Sequence, residues 1–307
     1  MIILCNFWQV ATPFSAHPKC YKCLKLDNRE VIVLENLRTL GYELHAKRSC
    51  LNVHHSRLVL KEYAKLHALS FALKDQNRKQ FDAIAKFSHD AWVDILSAAS
   101  LQRSMKNSRQ DVLALLKKRG DMHLYEKFSQ VSKDGPKKIL EIFQTTDEQS
   151  VILHGDCWNN NFMFQYQNGD RTTPTAVKIL DWQTSSLRSP ACDLAMFLCL
   201  TSAHSAHMFD QLLKEYYEQL SQYLVQLGSS PSLFTFEDLQ RHWKKFIVAA
   251  IIFAPSGFSF ALADQEKIPE FGDITEEIDV AELMDFPIPE TDDFYGRLKP
   301  LLEYLTL

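Results

Sequence analysis

The hydrophobic pattern changes character three times along the chain. A short β-branched run, Val31-Ile32-Val33-Leu34, predicts a buried strand ending in a polar turn. From Ser56 the spacing becomes helical, with Val59, Tyr63, Leu66 and Leu73 on one face and Lys61, Glu62 and Lys65 on another. Further helices are predicted through Asp82 to Ala99, Asp111 to Phe128 and Lys137 to Phe143, with a break near Asp134-Gly135-Pro136. Val151-Ile152-Leu153 and Phe162-Met163-Phe164 then read as strands around a polar cluster. Asn168-Gly169 marks a hairpin turn, and Ala176 to Leu180 is the returning strand. Beyond Pro190 the pattern is helical again: Asp193 to Leu200, Phe209 to Leu227, and a helix capped by Thr235 with Asp238 that runs to Pro255. The prediction is an α+β protein: an α-rich body around one β-hairpin that carries polar residues.

Composition is that of an ordinary globular protein, with 46% hydrophobic and 23% charged residues. A net charge of -4 gives no electrostatic reason for a nucleic-acid or anionic-membrane partner. The charge is unevenly placed. Residues 264 to 293 hold twelve acidic side chains against one Lys, leaving +7 on the remainder. That balance suits a body holding an anionic ligand, and equally a solvated acidic loop on a mixed surface. Seven cysteines form no dense, even framework. Cys20-x-x-Cys23 with Cys50 and His54 has an incomplete zinc-like spacing, so buried structural thiols are the expected role. The longest apolar run, Phe246 to Ala254, stops at Pro255, short of a bilayer's thickness. The expectation is a cytoplasmic monomer with no nucleic-acid or membrane partner.

The chemistry gathers in His154-Gly155-Asp156-Cys157-Trp158-Asn159-Asn160-Asn161, on a loop between strands. An Asp followed five residues later by an Asn is what phosphoryl transfer needs: a proton acceptor for an attacking hydroxyl, and a metal-ligating carbonyl. A second hard-oxygen ligand is due on the returning strand, and Asp181 follows Val177-Lys178-Ile179-Leu180 directly. Asp156, Asn161 and Asp181 suffice for a magnesium ion that also takes phosphate oxygens and water. His154 is read within the catalytic loop as an orienting residue. Taken singly, each of these residues is an ordinary turn former; the joint spacing H-x-D-x-x-x-x-N, apolar hairpin, then Asp is what points to function.

These residues, with Asp181-Trp182-Gln183 and Ser189-Pro190-Ala191-Cys192-Asp193-Leu194, resemble the ecdysteroid kinase-like family. Its members are also called choline-kinase-like (CHK) proteins and are related to aminoglycoside phosphotransferases. The resemblance extends upstream through Pro18-Lys19-Cys20-Tyr21, Val31 to Leu37 and Lys65-Leu66-His67-Ala68, and downstream to Leu213-Lys214-Glu215-Tyr216-Tyr217. It implies a two-lobed protein-kinase-like fold and ATP- and Mg-dependent phosphorylation of a hydroxyl on a small molecule, such as a steroid or a foreign alcohol. It also implies roles: Asp156 as catalytic base, Asn161 and Asp181 as metal ligands, Glu35-Asn36-Leu37 as the adenine-binding linker, and Asp193 as a buried structural carboxylate. Asn36 replaces a more usual Asp there, with little consequence because backbone groups do the reading.

One departure stands out. The first glycine is Gly41, after the linker, and only 30 residues precede Val31. The glycine-rich loop, its Lys and the Lys-pairing Glu find no counterpart here, and by comparison with a usual small kinase lobe roughly a hundred residues are expected to be absent from this sequence. Residues 1–40 are therefore expected to be a remnant of the small lobe plus linker, and residues 41–307 the α-rich lobe. Two readings follow: a phosphotransferase with an incomplete small lobe, or a non-catalytic ligand-binding protein. As written, the chain is expected to bind ATP weakly and to associate through an apolar edge near Met1 to Val10. The acceptor is not named by the sequence, although Trp158, Trp182, Met196, Phe197, Trp243 and Phe253 are candidates to line an apolar pocket.

Overall fold

The computed structural model describes residues 14–26, 29–46, 48–86, 90–263 and 286–305. The edge near Met1 to Val10 and most of the acidic stretch from 264 lie outside the described residues. Strands β1 (Cys20–Leu26) and β2 (Arg29–Leu34) form an antiparallel ribbon. A 3-10 turn at Leu37–Leu40 leads to β3 (Tyr42–Leu44). The helical body follows: α1 (Val53–Gln76), α2 (Arg78–Ala85), α3 (Ala91–Ser97), α4 (Ala99–Lys118), α5 (Met122–Val131) and α6 (Gly135–Phe143). Strand β4 (Val151–Ile152) enters the polar loop, and β5 (Phe162–Tyr166) with β6 (Pro174–Ile179) makes the hairpin. After β7 (Leu187–Arg188) come α7 (Pro190–Thr201), α8 (Phe209–Gln226), α9 (Phe236–Leu262) and α10 (Asp292–Tyr304). The α+β prediction is met, with helices dominating and few strands.

The hairpin is stitched into both halves of the chain. Its strands pair antiparallel from Phe162 opposite Ile179 to Tyr166 opposite Pro174, and β3 adds to the outer edge of β5. Asn168 and Gly169 both take positive φ, 55° and 74°, the backbone a tight turn requires. On the β6 side, the amide of Ile179 donates to the carbonyl of Ala16 at 2.7 Å, and Lys178 Nζ donates to the carbonyls of Ser15 and His17. The short β4–β7 pair closes the base of the loop.

Helix α1 is the central rod. Asn52 caps it by accepting from the amides of His54 and His55. Its middle is buried almost all round, from Val59 to Leu73, against α8 and the hairpin. Such a helix belongs to the interior of the fold rather than its surface.

Several expectations need correction. The Val31–Leu34 run is a strand, yet its side chains are exposed, Ile32 to 64%. A β-branched run favours extended backbone, but burial depends on what covers the strand. Only β1 pairs with it among the described residues. The Asp82–Ala99 helix is broken: α2 ends at Ala85, α3 restarts behind the Asp90 cap, and α4 begins at Ala99. The Asp111–Phe128 helix is likewise two, α4 and α5, parted at Gly120, whose φ is 77°.

Helix α9 begins with the predicted Thr235–Asp238 capping box but continues through Pro255 to Leu262. The lost donor at Pro255 is tolerated because packing on both sides holds the helix, with Ala254 and Pro255 both buried. It is therefore long and apolar enough, by length and composition, to cross a membrane, contrary to the run-length reading. However, 67% of its apolar window is buried inside the fold, the pattern of a core helix.

Candidate functional site

The loop from His154 to Asn161 is held from below by one carboxylate. Asp193, on the first turn of α7 and 1% exposed, accepts the amides of His154 at 2.8 Å and Gly155 at 2.9 Å. It also accepts from His67 Nε2 at 3.3 Å and from the Cys157 thiol at 3.5 Å. Burial alone would raise its pKa. The His67 hydrogen bond and charge, the charge of His154 and the Gly155 amide overcome that and hold it below the usual carboxylate value. His67 is itself fixed from behind, since Tyr216 bonds its Nδ1 at 2.8 Å. A buried relay thus runs from α8 through α1 and α7 into the loop backbone.

His154 is fully buried, with both ring nitrogens engaged. Nε2–H donates to the carbonyls of Leu180 (2.8 Å) and Asp181 (3.1 Å), and Nδ1 pairs with Tyr63 Oη at 3.1 Å. The ring therefore ties the loop to the end of β6. Trp182 packs edge-on against it, with ring centroids 4.7 Å apart. Gly155 has φ 87°, and a Cβ there would sit 2.3 Å from the carbonyl oxygen of Thr184. Trp92 Nε1 donates to the Gly155 carbonyl at 2.7 Å.

On this platform Asp156 and Asn161 meet directly. Asn161 Nδ2 donates to Asp156 Oδ2 at 2.7 Å and to the Asp156 carbonyl at 3.0 Å. Burial is the main cause that raises the Asp156 pKa, and the nearby Asp181 charge adds to it. His154 and the Asn161 hydrogen bond work the other way. Asp181 stands at the end of β6, next to Leu180, whose amide donates to the Asn161 carbonyl at 2.8 Å. Its φ of 54° is a left-handed conformation uncommon for a non-glycine residue. Its carboxylate is exposed and, among the described residues, hydrogen-bonds only with the Gln183 amide groups, at 3.5 and 3.3 Å. With Nδ2 occupied, Asn161 has its Oδ1 left to offer. Chemically, the arrangement provides a half-buried carboxylate able to take a proton, flanked by an amide oxygen and a second carboxylate suited to a hard cation.

The linker residues lie apart from this cluster in the chain. The Glu35 amide donates to the Lys19 carbonyl at 2.8 Å, and Glu35 Oε2 accepts from the Lys19 amide. Asn36 caps the 3-10 turn through its side chain, while its carbonyl accepts from Thr39 Oγ1; Leu37 is buried. Of the aromatic and Met candidates, Met196, Phe197, Trp243 and Phe253 are core residues, whereas Trp158 and Trp182 remain half-buried beside the loop. Trp158 packs on Phe253 and Phe260, and Gly257 makes room for it, since a Cβ there would touch the Trp158 ring at 3.3 Å. Cys20 and Cys23 lie together, but no group of three metal-ligating His, Cys, Asp or Glu side chains occurs among the described residues. A surface cavity of about 640 Å³ near Trp243 and Tyr304 has none of the loop residues in its walls.

Sequence reasoning assigned no role to Tyr63, His67, Trp92 or Tyr216. His67 and Tyr216 did fall inside quoted motif segments, and their polarity at helical core positions was the available signal.

An α-rich body presenting a hairpin-borne Asp, Asn and Asp on a buried carboxylate relay defines a kinase-like protein. The family comparison agrees: the Ecdysteroid kinase-like family matches residues 6–229, and the chain belongs to it. At the coarse level this is a protein of the small-molecule kinase kind, for which ATP is the implied phosphate donor, typically with magnesium. No curated protein matches the chain. Among solved structures it is similar to an ethanolamine kinase of Plasmodium vivax, at 13% identity and TM-score 0.39, over 94% of this chain and 69% of that one. It is also similar to a choline kinase of Cryptosporidium parvum Iowa II, at 16% identity and TM-score 0.40, over 94% and 73%.

Proposed function

We propose that the chain transfers a phosphoryl group from ATP to a hydroxyl on an apolar small molecule, with Asp156 as the general base. The observation that carries this is the Asn161–Asp156 contact at 2.7 Å, which aims one carboxylate and leaves the Asn161 amide oxygen unused, with the Asp181 charge near enough to act on Asp156. These are hard oxygen donors of the type magnesium takes, and Asp181 has no cationic partner among its contacts, so the residues fit the ion. When bound, Mg-ATP supplies the electrophilic phosphoryl group and neutralises its charge.

The chain's own residues do the rest. Asp156 accepts the proton of the attacking hydroxyl; its raised pKa, caused first by burial, makes it a stronger base than an exposed carboxylate. Asn161 fixes the orientation of Asp156, and Asp193 with His67 holds the loop backbone still. His154 locks the loop to Asp181 and is a positioning residue. The aromatic wall of Trp158 and Phe260 next to the base favours an apolar acceptor, steroid-like or a foreign alcohol. Glu35-Asn36-Leu37 is our proposed adenine contact, with residues 1–40 as small-lobe remnant and linker and 41–307 as the catalytic body.

A second reading, capture of a ligand without transfer, draws support from the bare β1–β2 ribbon. Among the described residues its Ile32, Val33 and Leu34 stand exposed, an apolar face rather than a cradle for phosphate. One experiment separates the two: phosphotransfer from ATP to a panel of hydroxylated steroids and alcohols, run beside Mg-ATP calorimetry. Transfer that falls about 10²–10⁴-fold in Asp156→Asn supports the enzyme. Near-normal transfer by that variant overturns the base assignment, and acceptor binding with no transfer favours the second reading.

A further inference from the structure

Strand β1 carries a pair of sulfurs outside the proposed site. Side chains alternate along a strand, so residues three apart ordinarily face opposite sides. Here the pairing with β2 slips: Cys20 lies opposite Leu34 while Lys22 lies opposite Val33. Such an irregularity re-aims the chain. The Cys20 and Cys23 sulfurs consequently come within 3.4 Å of each other.

Both are free thiols; Cys23 is exposed and Cys20 half-buried, whereas Cys157, Cys192 and Cys199 are buried. Exposed Lys19 and Lys22 flank Cys20, so the pair lies open to a small reactant. The pair also sits one residue from a structural joint. Lys19, next to Cys20, holds Glu35 through its carbonyl at 2.8 Å and its amide at 3.3 Å.

We propose that Cys20 and Cys23 form a reversibly oxidisable dithiol whose reactant is a small-molecule disulfide such as glutathione disulfide, and whose bridging shifts the Lys19–Glu35 joint. One thiolate attacks a sulfur of the reactant, forming a mixed disulfide and releasing one glutathione thiol. The other cysteine, as its thiolate, then attacks the protein-bound sulfur, closes the Cys20–Cys23 bond and releases the second glutathione. The protein dithiol is oxidised by two electrons and the reactant is reduced to two thiols, with the two protons passing to them. A disulfide bond is about 2 Å long, so closure draws the sulfurs in from 3.4 Å and pulls on the residue next to Lys19.

The test needs no phosphotransfer activity, so it stands or falls apart from the proposed function. The protein is equilibrated across a series of glutathione to glutathione disulfide ratios, then alkylated and digested with trypsin. Trypsin cuts after Lys19, Lys22 and Lys25, so an internal bridge joins the peptides Cys20–Lys22 and Cys23–Lys25 until reduction parts them. The joined pair is expected to rise with the oxidised fraction, and Cys23→Ser should instead accumulate a stable glutathione adduct on Cys20. Amide exchange at Glu35, read by NMR, should change several-fold on oxidation of the wild type and stay constant in Cys23→Ser. Adducts on both cysteines with no joined peptides, or thiols that stay alkylatable throughout, overturn the dithiol. Unchanged Glu35 exchange in a bridged protein overturns the coupling.

Discussion

The Asn161 side-chain amide donates to the Asp156 carboxylate at 2.7 Å and to the carbonyl of the same residue at 3.0 Å. One amide therefore fixes both the rotamer and the backbone of the proposed base. Replacing it with a second carboxylate tests the pair electrostatically. In Asn161→Asp a donor becomes a like charge, so the Asp156 pKa, already raised chiefly by burial, should rise further. A general base works only when deprotonated, so the acid limb of kcat/KM against pH should move to higher pH. An unmoved limb with unchanged turnover would mean that Asp156 is not the titrating base.

Asp193 predicts a stability effect. Removing one partner of a buried ion pair leaves the other charge or dipole uncompensated, typically at a cost of about 3–5 kcal/mol. Asp193→Ala should lose stability on that order in urea, because the His154 and Gly155 amides and His67 lose their common acceptor. Its folded pKa is depressed, so the contribution is present above the unfolded value of about 3.9 and is lost as pH falls through the folded one. A loss well under 1 kcal/mol would show that the relay does not carry the loop.

Gly155 makes a steric prediction. Alanine there would combine a φ of 87° with a Cβ placed 2.3 Å from a backbone carbonyl oxygen. Left-handed backbone alone costs about 1–3 kcal/mol for a non-glycine residue, and the Thr184 carbonyl cannot swing aside as a flexible side chain would. Gly155→Ala should lower Tm and abolish any transfer, whereas Gly169→Ala, with open space around it, should cost only the backbone strain. Equal melting shifts for the two would refute the clash.

How much of this was legible in the sequence depends on range. The hairpin, the Thr235 cap and the Asp156–Asn161–Asp181 spacing are local patterns, and short stretches of chain suffice to show them. The Tyr216–His67–Asp193 relay joins residues 149 and 126 positions apart, so no local spacing announces it. The exposure of Val31–Leu34 is not legible for the complementary reason: β-branching speaks for the strand, while only a covering layer decides which residues are inside. Pro255 reads as a stop because proline removes a donor, yet a helix buried on both sides of it continues.

Asp181 carries the metal prediction. Among the described residues its carboxylate hydrogen-bonds only with Gln183, and its strained φ of 54° presents it just beyond the end of β6. Asp181→Ala should therefore leave the melting temperature nearly unchanged while removing the magnesium dependence of ATP binding by calorimetry. Magnesium-dependent binding that survives in the variant would place the cation elsewhere.

The last prediction concerns acid below neutrality, and it rests on His55. This ring is buried beneath the hairpin, with Nδ1 facing Asn52 Oδ1 at 2.8 Å and Nε2 facing Tyr166 Oη at 2.9 Å. The neutral form satisfies both: Nδ1–H donates to the Asn52 oxygen, and Nε2 accepts from the tyrosine hydroxyl. Burial, then the charges of His45 and His54, lower its pKa to about 4. A base whose folded pKa lies below its unfolded value of about 6.5 is protonated first in the unfolded chain, so protonation favours unfolding. Its contribution is complete above about pH 6.5 and is lost progressively as pH falls towards 4, a window above the one governed by Asp193. Urea midpoints measured from pH 7 to pH 4 should decline, and His55→Gln, which keeps a polar side chain but does not titrate, should flatten that decline while lowering the plateau. A wild-type midpoint that holds level across the window would mean that His55 is charged in the folded protein, with the Tyr166 hydroxyl turned to accept.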